Sequence, residues 1–267
     1  MTPADPHAAP FDAERAAQAL MAARQTRRVL KGLPPDIAPR GLAEGIATQI
    51  AVARSVGAQP PAGFKIGATA RRMQDYLGLP GPLASFIAAA GLHGSGSTLS
   101  YAPFLHPGVE CELAVVLTHD LAPGPCSNAQ AAAAIGELTA AIEVVENRYG
   151  PLDVLGTPTL VADQVFHAAA IVGEPYPGWR DLDLCCLAGS VSVDGHDRGS
   201  GTGADLLGDP ITALAWLAAS EEVAAFGGLR AGQVVMLGSV CPPIWLDGPG
   251  EIAVRFPPLP PVILHLV

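Results

Sequence analysis

The chain has 267 residues, 49% hydrophobic and only 15% charged, with 25 acidic against 15 basic side chains and a formal net charge of -10. That length suits one α/β domain with a small appendage, and an acidic chain without a Lys/Arg run excludes nucleic acid and anionic membranes as partners. So few charges on so apolar a chain leave apolar surface to hide, which points to a homo-oligomer.

The opening "MTPADPHAAP" lacks a basic segment followed by an apolar one, and no apolar run reaches membrane-spanning length. Cys111, Cys126, Cys185, Cys186 and Cys241 form no C-x-x-C pair, so they read as reduced packing residues of a cytoplasmic protein. "FDAERAAQALMAARQ" and "GLAEGIATQIAVARSVG" have helical spacing and make residues 1–60 an N-terminal helical section ahead of the strand-rich remainder over 61–267. "GFKIG" reads as a short strand and "TARRMQDYLGL" as a helix with Thr69 as its N-cap. A loop-rich stretch, "HGSGSTLSYAPFLHPG", then leads into the strand "GVECELAVVL".

"SNAQAAAAIGELTAAI" reads as a helix capped by Ser127 that runs into a strand, "AIEVVE". Two further strands flank the Asp194-Gly195 turn, Asp209 and Pro210 open a helix, and "QVVMLGS" and "EIAVRF" are strands before a proline-rich tail. That tail, "FPPLPPVILHLV", has no glycine-containing turn and promises no hairpin.

In "GVECELAVVL", strand alternation puts Glu110 and Glu112 on one face with Ala114 and Val116, and Val109, Cys111, Leu113, Val115 and Leu117 on the other. Two carboxylates about 7 Å apart on a strand entering an interior repel each other and call for a positive charge between them. Glu143, also among apolar neighbours, is a third. Three oxygen donors without His or Cys on the same face suit Mg²⁺ or Mn²⁺ better than Zn²⁺. Lys65, flanked by Phe64 and Ile66 with Gly63 and Gly67 beyond, is an odd place for a merely solvated amine.

The ordered set "GFKIGATARRMQDYLG", "HPGVECELAVVLTHDL", "AIEVVENR", "VADQ", "LLGDPITALAWLA" and "GLRAGQVVMLGS" resembles the hydratase/decarboxylase branch of the fumarylacetoacetate hydrolase superfamily. The resemblance implies an α/β (α+β) fold, a mixed β-sandwich or roll wrapped by helices, and a homo-oligomer. It implies that 61–267 is a metal-binding catalytic domain in which Glu110, Glu112 and Glu143 bind the metal, Lys65 and Asp163 are catalytic, with Asp163 bordering the pocket, and Ser239, near the substrate carboxylate, binds substrate with Gln164 and His167. Gln164 stands where the family has asparagine, and Phe166 and His167 where it has small residues, so these reshape the pocket; His167 is also a candidate acid/base. Gly201-Thr202-Gly203 replaces a "GRG" segment.

The activity implied is that of a cytoplasmic lyase of aromatic catabolism acting on a small 2-oxo or 2-hydroxy carboxylate. It hydrates a 2-hydroxydienoate of the 2-keto-4-pentenoate type to a 4-hydroxy-2-oxoacid through a metal-stabilised enolate, with Lys65 moving a proton. The alternatives are decarboxylation of a 4-oxalocrotonate-type enedioate, C–C hydrolysis of an acylpyruvate, or a silent subunit complexed with a pathway hydratase or decarboxylase.

Overall fold

A computed structural model describes residues 10–150 and 155–267; the opening "MTPADPHAA" lies outside the described residues. Helices α1 (Ala13–Thr26) and α2 (Leu42–Ser55) come first, α1 capped by Asp12, whose side chain accepts from the Arg15 N–H. Strand β1 (Gly63–Gly67) follows, then α3 (Arg71–Leu77) and β2 (Leu83–Ile87). Thr69 is not the cap of α3: the cap position is Ala70, with no side-chain bond. The loop-rich approach holds two three-residue strands, β3 (Leu92–Gly94) and β4 (Ser97–Leu99), ahead of β5 (Pro107–Leu117).

The Ala-rich segment expected to be one helix divides. Ser127 caps it in a capping box, but α4 ends at Ala134 and the chain runs directly into β6 (Ile135–Glu146). Leu138 and Ile142 face the main core of the protein, and Ala141 faces a second cluster across the sheet. Burial on both faces overrides the helix propensity of alanine.

Helix α5 (Thr157–Ala162), strands β7 (His167–Val172), β8 (Ala188–Val193) and β9 (His196–Thr202), and helices α6 (Pro210–Ala219) and α7 (Glu221–Ala225) follow. Asp194 and Gly195 both take positive φ, 51° and 75°, as a tight two-residue hairpin requires. Strands β10 (Val234–Ser239), β11 (Ile244–Trp245), β12 (Gly250–Arg255) and β13 (Val262–Leu266) complete the chain. The proline-rich tail does form a hairpin: β13 pairs antiparallel with β12 and parallel with β4, so it is an inner strand. The prolines lie between the strands, where they cost no ladder hydrogen bond.

Two sheets result. One is mixed, ordered β2-β1-β10-β5-β6-β7-β3 with β11 paired to β5; the other is ordered β4-β13-β12-β8-β9. Contacts between β2 and β7 show that the larger sheet curls toward closure. Its convex face packs Phe64, Leu113, Val115, Ile142 and Val235 into the main core with the second sheet and with α1, through Leu20. Its concave face is lined by small or slender residues, among them Ala114, Ala141, Ala170 and Met236. This is the mixed, curled-sheet α/β architecture that the motif set implied, with helices around it.

Cys111 and Cys241 are buried as expected of packing residues, whereas Cys126 and Cys185 are half-buried and Cys186 is exposed. Among the described residues no helix is long and apolar enough to cross a membrane.

Candidate metal centre and active site

Strand register assembles the carboxylates. In the β5–β6 ladder Glu110 lies opposite Glu143, and Glu112 opposite Ala141, while across β10 Glu112 faces Ser239. Carboxylate oxygens of Glu110, Glu112 and Glu143 lie within 4.8 Å of one another. Glu112 and Glu143 are fully buried and Glu110 is half-buried at the mouth.

Three local devices build the surroundings. β10 is irregular between Met236 and Ser239, and Gly238, at φ +106°, aims its N–H at Glu112 Oε2 at 3.0 Å. β7 carries an extra residue against β6 at Val145, and His167 there places Nδ1 2.8 Å from Glu143 Oε1. Lys65, on β1 with 1% exposure, places Nζ 3.3 Å from the same Oε1 and donates to the Val165 carbonyl at 2.8 Å. An ammonium has three hydrogens, so one remains for the adjoining cavity that Lys65 lines.

The electrostatics are uneven. Burial, with Glu143 nearby, pushes the Glu110 carboxyl up to about 8 against the opposing pull of Lys65. Burial and the charges of Glu143 and Glu110 likewise raise Glu112 well above the usual carboxylate range. Burial also works against Glu143, but Lys65 and His167 outweigh it and hold its pKa below the ordinary value. Glu112 Oε1 and Glu143 Oε2 are buried with no hydrogen-bond partner. Orphaned carboxylate oxygens beside a third carboxylate are costly without a cation, and an all-oxygen donor set fits a hard divalent ion such as Mg²⁺ or Mn²⁺.

The other expected site residues divide. Ser239 lines a cavity of about 790 Å³ that also reaches Glu110. Its Oγ donates to the Cys241 carbonyl at 2.7 Å and accepts from the Cys111 N–H at 3.2 Å, so the cavity is offered a lone pair. Asp163 and Gln164 line neither cavity at Glu110. Asp163 is wholly buried and accepts from Arg24, Arg148 Nη2 at 3.0 Å and Tyr149 Oη at 2.9 Å. Burial alone would raise its pKa, but the two guanidiniums hold it below the ordinary value. Gln164 accepts from Arg24 Nη1 at 2.7 Å and donates to the Phe86 carbonyl at 3.1 Å. His167 lines neither cavity, and its Nε2 is buried without a partner.

Thr202, in place of the expected arginine, donates its N–H to Asp205 Oδ2 at 2.8 Å and braces its own loop. Sequence reasoning missed Arg24, the link from the N-terminal helix to the site, because nothing local pairs it with a residue 139 positions away. Arg148 was within reach, two residues beyond the acidic Glu146 that it pairs with at 2.9 Å. His106 and Trp245, stacked with centroids 4.7 Å apart beside Glu110, carried no signal either.

A curled mixed sheet with a lysine on its flank thus carries a buried carboxylate cluster that could hold a metal ion. Residues 67–258 match the fumarylacetoacetate (FAA) hydrolase C-terminal family, and the chain belongs to that family. It is 34% identical over 201 residues to a 2-keto-4-pentenoate hydratase from Burkholderia vietnamiensis, covering 75% of this chain and 76% of the relative. With a 2-hydroxyhexa-2,4-dienoate hydratase from Comamonas testosteroni it shares 31% over 183 residues, 67% of this chain and 68% of the other. In three dimensions it superposes on a 4-oxalocrotonate decarboxylase from Pseudomonas putida G7, complexed with magnesium and adipate, with a TM-score of 0.87. That match covers 96% of this chain and 97% of the other at 23% identity, and it speaks for the fold.

Proposed function

We propose that the protein is a divalent-cation-dependent hydro-lyase that converts a 2-hydroxydienoate of the 2-keto-4-pentenoate type to a 4-hydroxy-2-oxoacid. The observation that carries this is the buried trio Glu110, Glu112 and Glu143, two of whose oxygens are orphaned, with Lys65 Nζ at its edge. The hydratases among its relatives support the choice of reaction.

The three glutamates hold the cation, Mg²⁺ in the first instance. When bound, it supplies a Lewis acid that anchors the acid head of the substrate and polarises its C2 oxygen. Glu143 Oε1 fixes Lys65 and His167, leaving Oε2 for the ion. Lys65 Nζ, steadied by the Val165 carbonyl, carries the proton delivered to C5 of the dienol before water adds at C4. Asp163 and Gln164, bonded to protein groups, and His167, held through Nδ1 at Glu143, act as positioning residues, since none of the three lines either cavity. Ser239 lines the larger cavity, which takes the substrate head. We place the enzyme in the cytoplasm, in aromatic catabolism, as a homo-oligomer, on the strength of its acidic, charge-poor composition and the activities of its relatives.

The decarboxylase reading shares the same cluster and is favoured by the 27% identity to a Pseudomonas putida 4-oxalocrotonate decarboxylase over 197 residues. Mass analysis of fresh 2-hydroxypenta-2,4-dienoate incubated with protein, with Mg²⁺ or with EDTA, separates the readings. A Mg²⁺-dependent gain of one water is the expected result. No such product, together with loss of CO₂ from the six-carbon enedioate, would replace hydration by decarboxylation.

A further inference from the structure

The carboxylate cluster opens on two cavities of different character that share Gly67, Ala68, Met73, Glu110 and the Pro242-Pro243 turn. The larger offers polar groups, including Thr69, Gln74, Ser200, Asp205 and Ser239. The smaller, about 310 Å³, is walled by Tyr76, Leu77, Val145, Val165, Phe166 and Trp245. Two of its walls, Trp245 and Phe166, are fixed by packing. Trp245 stacks on His106 at an interplanar angle of 20°, and it sits so close over Gly108 that a Cβ there would lie 2.8 Å from its Cε3. Phe166 packs at 6.0 Å between ring centroids against Tyr149, whose hydroxyl is bonded to Asp163.

The charges at this cavity are committed elsewhere. Lys65 Nζ serves Val165 and Glu143, its remaining hydrogen is the one delivered to C5, and His106 lies flat against Trp245. Among the described residues no arginine lines it. A carboxylate placed there would find no guanidinium, only the Asn147 amide and the Lys65 proton donor, to replace its water, whereas an apolar group would gain roughly four-fold in affinity per buried methylene. An apolar cavity of about 150 Å³ holds a benzene ring, so there is room for an aryl group or a chain of several carbons.

We propose that this second cavity is a specificity arm for an apolar substituent at C5 of the substrate. The preferred substrate class is then a 2-hydroxy-2,4-dienoate bearing an alkyl or aryl tail, ahead of the unsubstituted five-carbon acid and of any dienedioate. The proposal rests on the hydratase reading given above.

The test compares kcat/KM with Mg²⁺ for 2-hydroxypenta-2,4-dienoate, its 5-propyl and 5-phenyl derivatives and the corresponding 2-hydroxydienedioate. Alongside it, calorimetry measures Mg²⁺-dependent binding of saturated 2-oxoacids of increasing chain length, which cannot react. The propyl and phenyl acids should exceed the unsubstituted acid by at least ten-fold, the dienedioate should be poorest, and 2-oxoacid affinity should rise with length. Leu77→Trp, which fills the arm, should bring the propyl-to-unsubstituted ratio down toward one. Hydration of the five-carbon acid with no gain from a tail, and flat binding, would overturn the arm alone. Absence of any hydration, with affinity still rising with length, would overturn the hydratase reading and keep the arm. Faster loss of CO₂ from the dienedioate than hydration of any dienoate would overturn both.

Discussion

Glu143 is the residue on which the centre turns. One oxygen accepts from Lys65 and from His167 while the other is left bare, and its pKa alone among the three acids lies below the ordinary value. Burial and the charge of Glu143 make Glu110 and Glu112 hold protons more tightly, and Glu112 has a single N–H bond to offset this. Removing the charge of one proposed ligand without changing its volume therefore tests the centre directly. Glu143→Gln and Glu112→Gln should each weaken Mn²⁺ binding by two orders of magnitude or more, followed by calorimetry, with turnover falling alongside. Glu143→Gln should also release Lys65 and His167, whereas Glu112→Gln should not. Native metal affinity in either variant would show that the cluster is not the metal centre.

At the scale of the element, the segment between α5 and β7 has the least comfortable backbone in the site. Gln164, Val165 and Phe166 take positive φ in succession, 56°, 50° and 65°, which for non-glycine residues costs roughly 1–2 kcal/mol each. That turn delivers the Val165 carbonyl to Lys65 and Phe166 to the apolar cavity. Gly67 makes room for it, since a Cβ there would lie 2.7 Å from Val165 Cγ1 and 3.3 Å from Lys65 Nζ. Arg24 bonds both Asp163 and Gln164, and Gln164 is anchored again at Phe86. Arg24→Met keeps the packing of the side chain and removes the clamp. Its kcat should fall about ten-fold or more, with KM less affected and with only a modest loss of stability in urea titrations. A variant with native kcat would relieve Arg24 of any positioning role.

For the molecule as a whole, the metal should be a large part of the stability at neutral pH. Saturation at a hundred times Kd adds about 2.7 kcal/mol, which for a chain of this size raises Tm by roughly 5–10 °C. The pH dependence has a defined sign. Glu110 has a folded-state pKa of about 8 against an ordinary 4.5, so the stability it contributes in the metal-free protein is present below 4.5 and lost as pH rises through about 8. Glu112 acts in the same direction. Asp163 and Glu143, whose values are lowered, contribute stability that is present above their ordinary values and lost on acidification below them. Calorimetric scans in EDTA should therefore show Tm falling from pH 5.5 to 8.5. The gap between Mg²⁺ and EDTA should widen over the same range, because the cation must displace protons. A gap that narrows with rising pH would contradict this arrangement of charges.

Much of this centre was legible in the residues. Strand alternation put Glu110 and Glu112 on one face, and an apolar frame marked Lys65 as unusual, because a period of two and the cost of burying charge are local rules. The N-terminal helices, the Asp194-Gly195 hairpin and the Asp209 cap followed from equally local chemistry. Only the tertiary structure decided that β6 begins at Ile135 inside an Ala-rich run, that Glu143 pairs with Glu110, and that the prolines of the tail bridge two inner strands. It also decided that Arg24 and Arg148 meet at Asp163, and that Trp245 walls a cavity beside Glu110. Those outcomes depend on sheet register and on burial across distant segments, where packing outweighs propensity and no short stretch of sequence carries the partner's address.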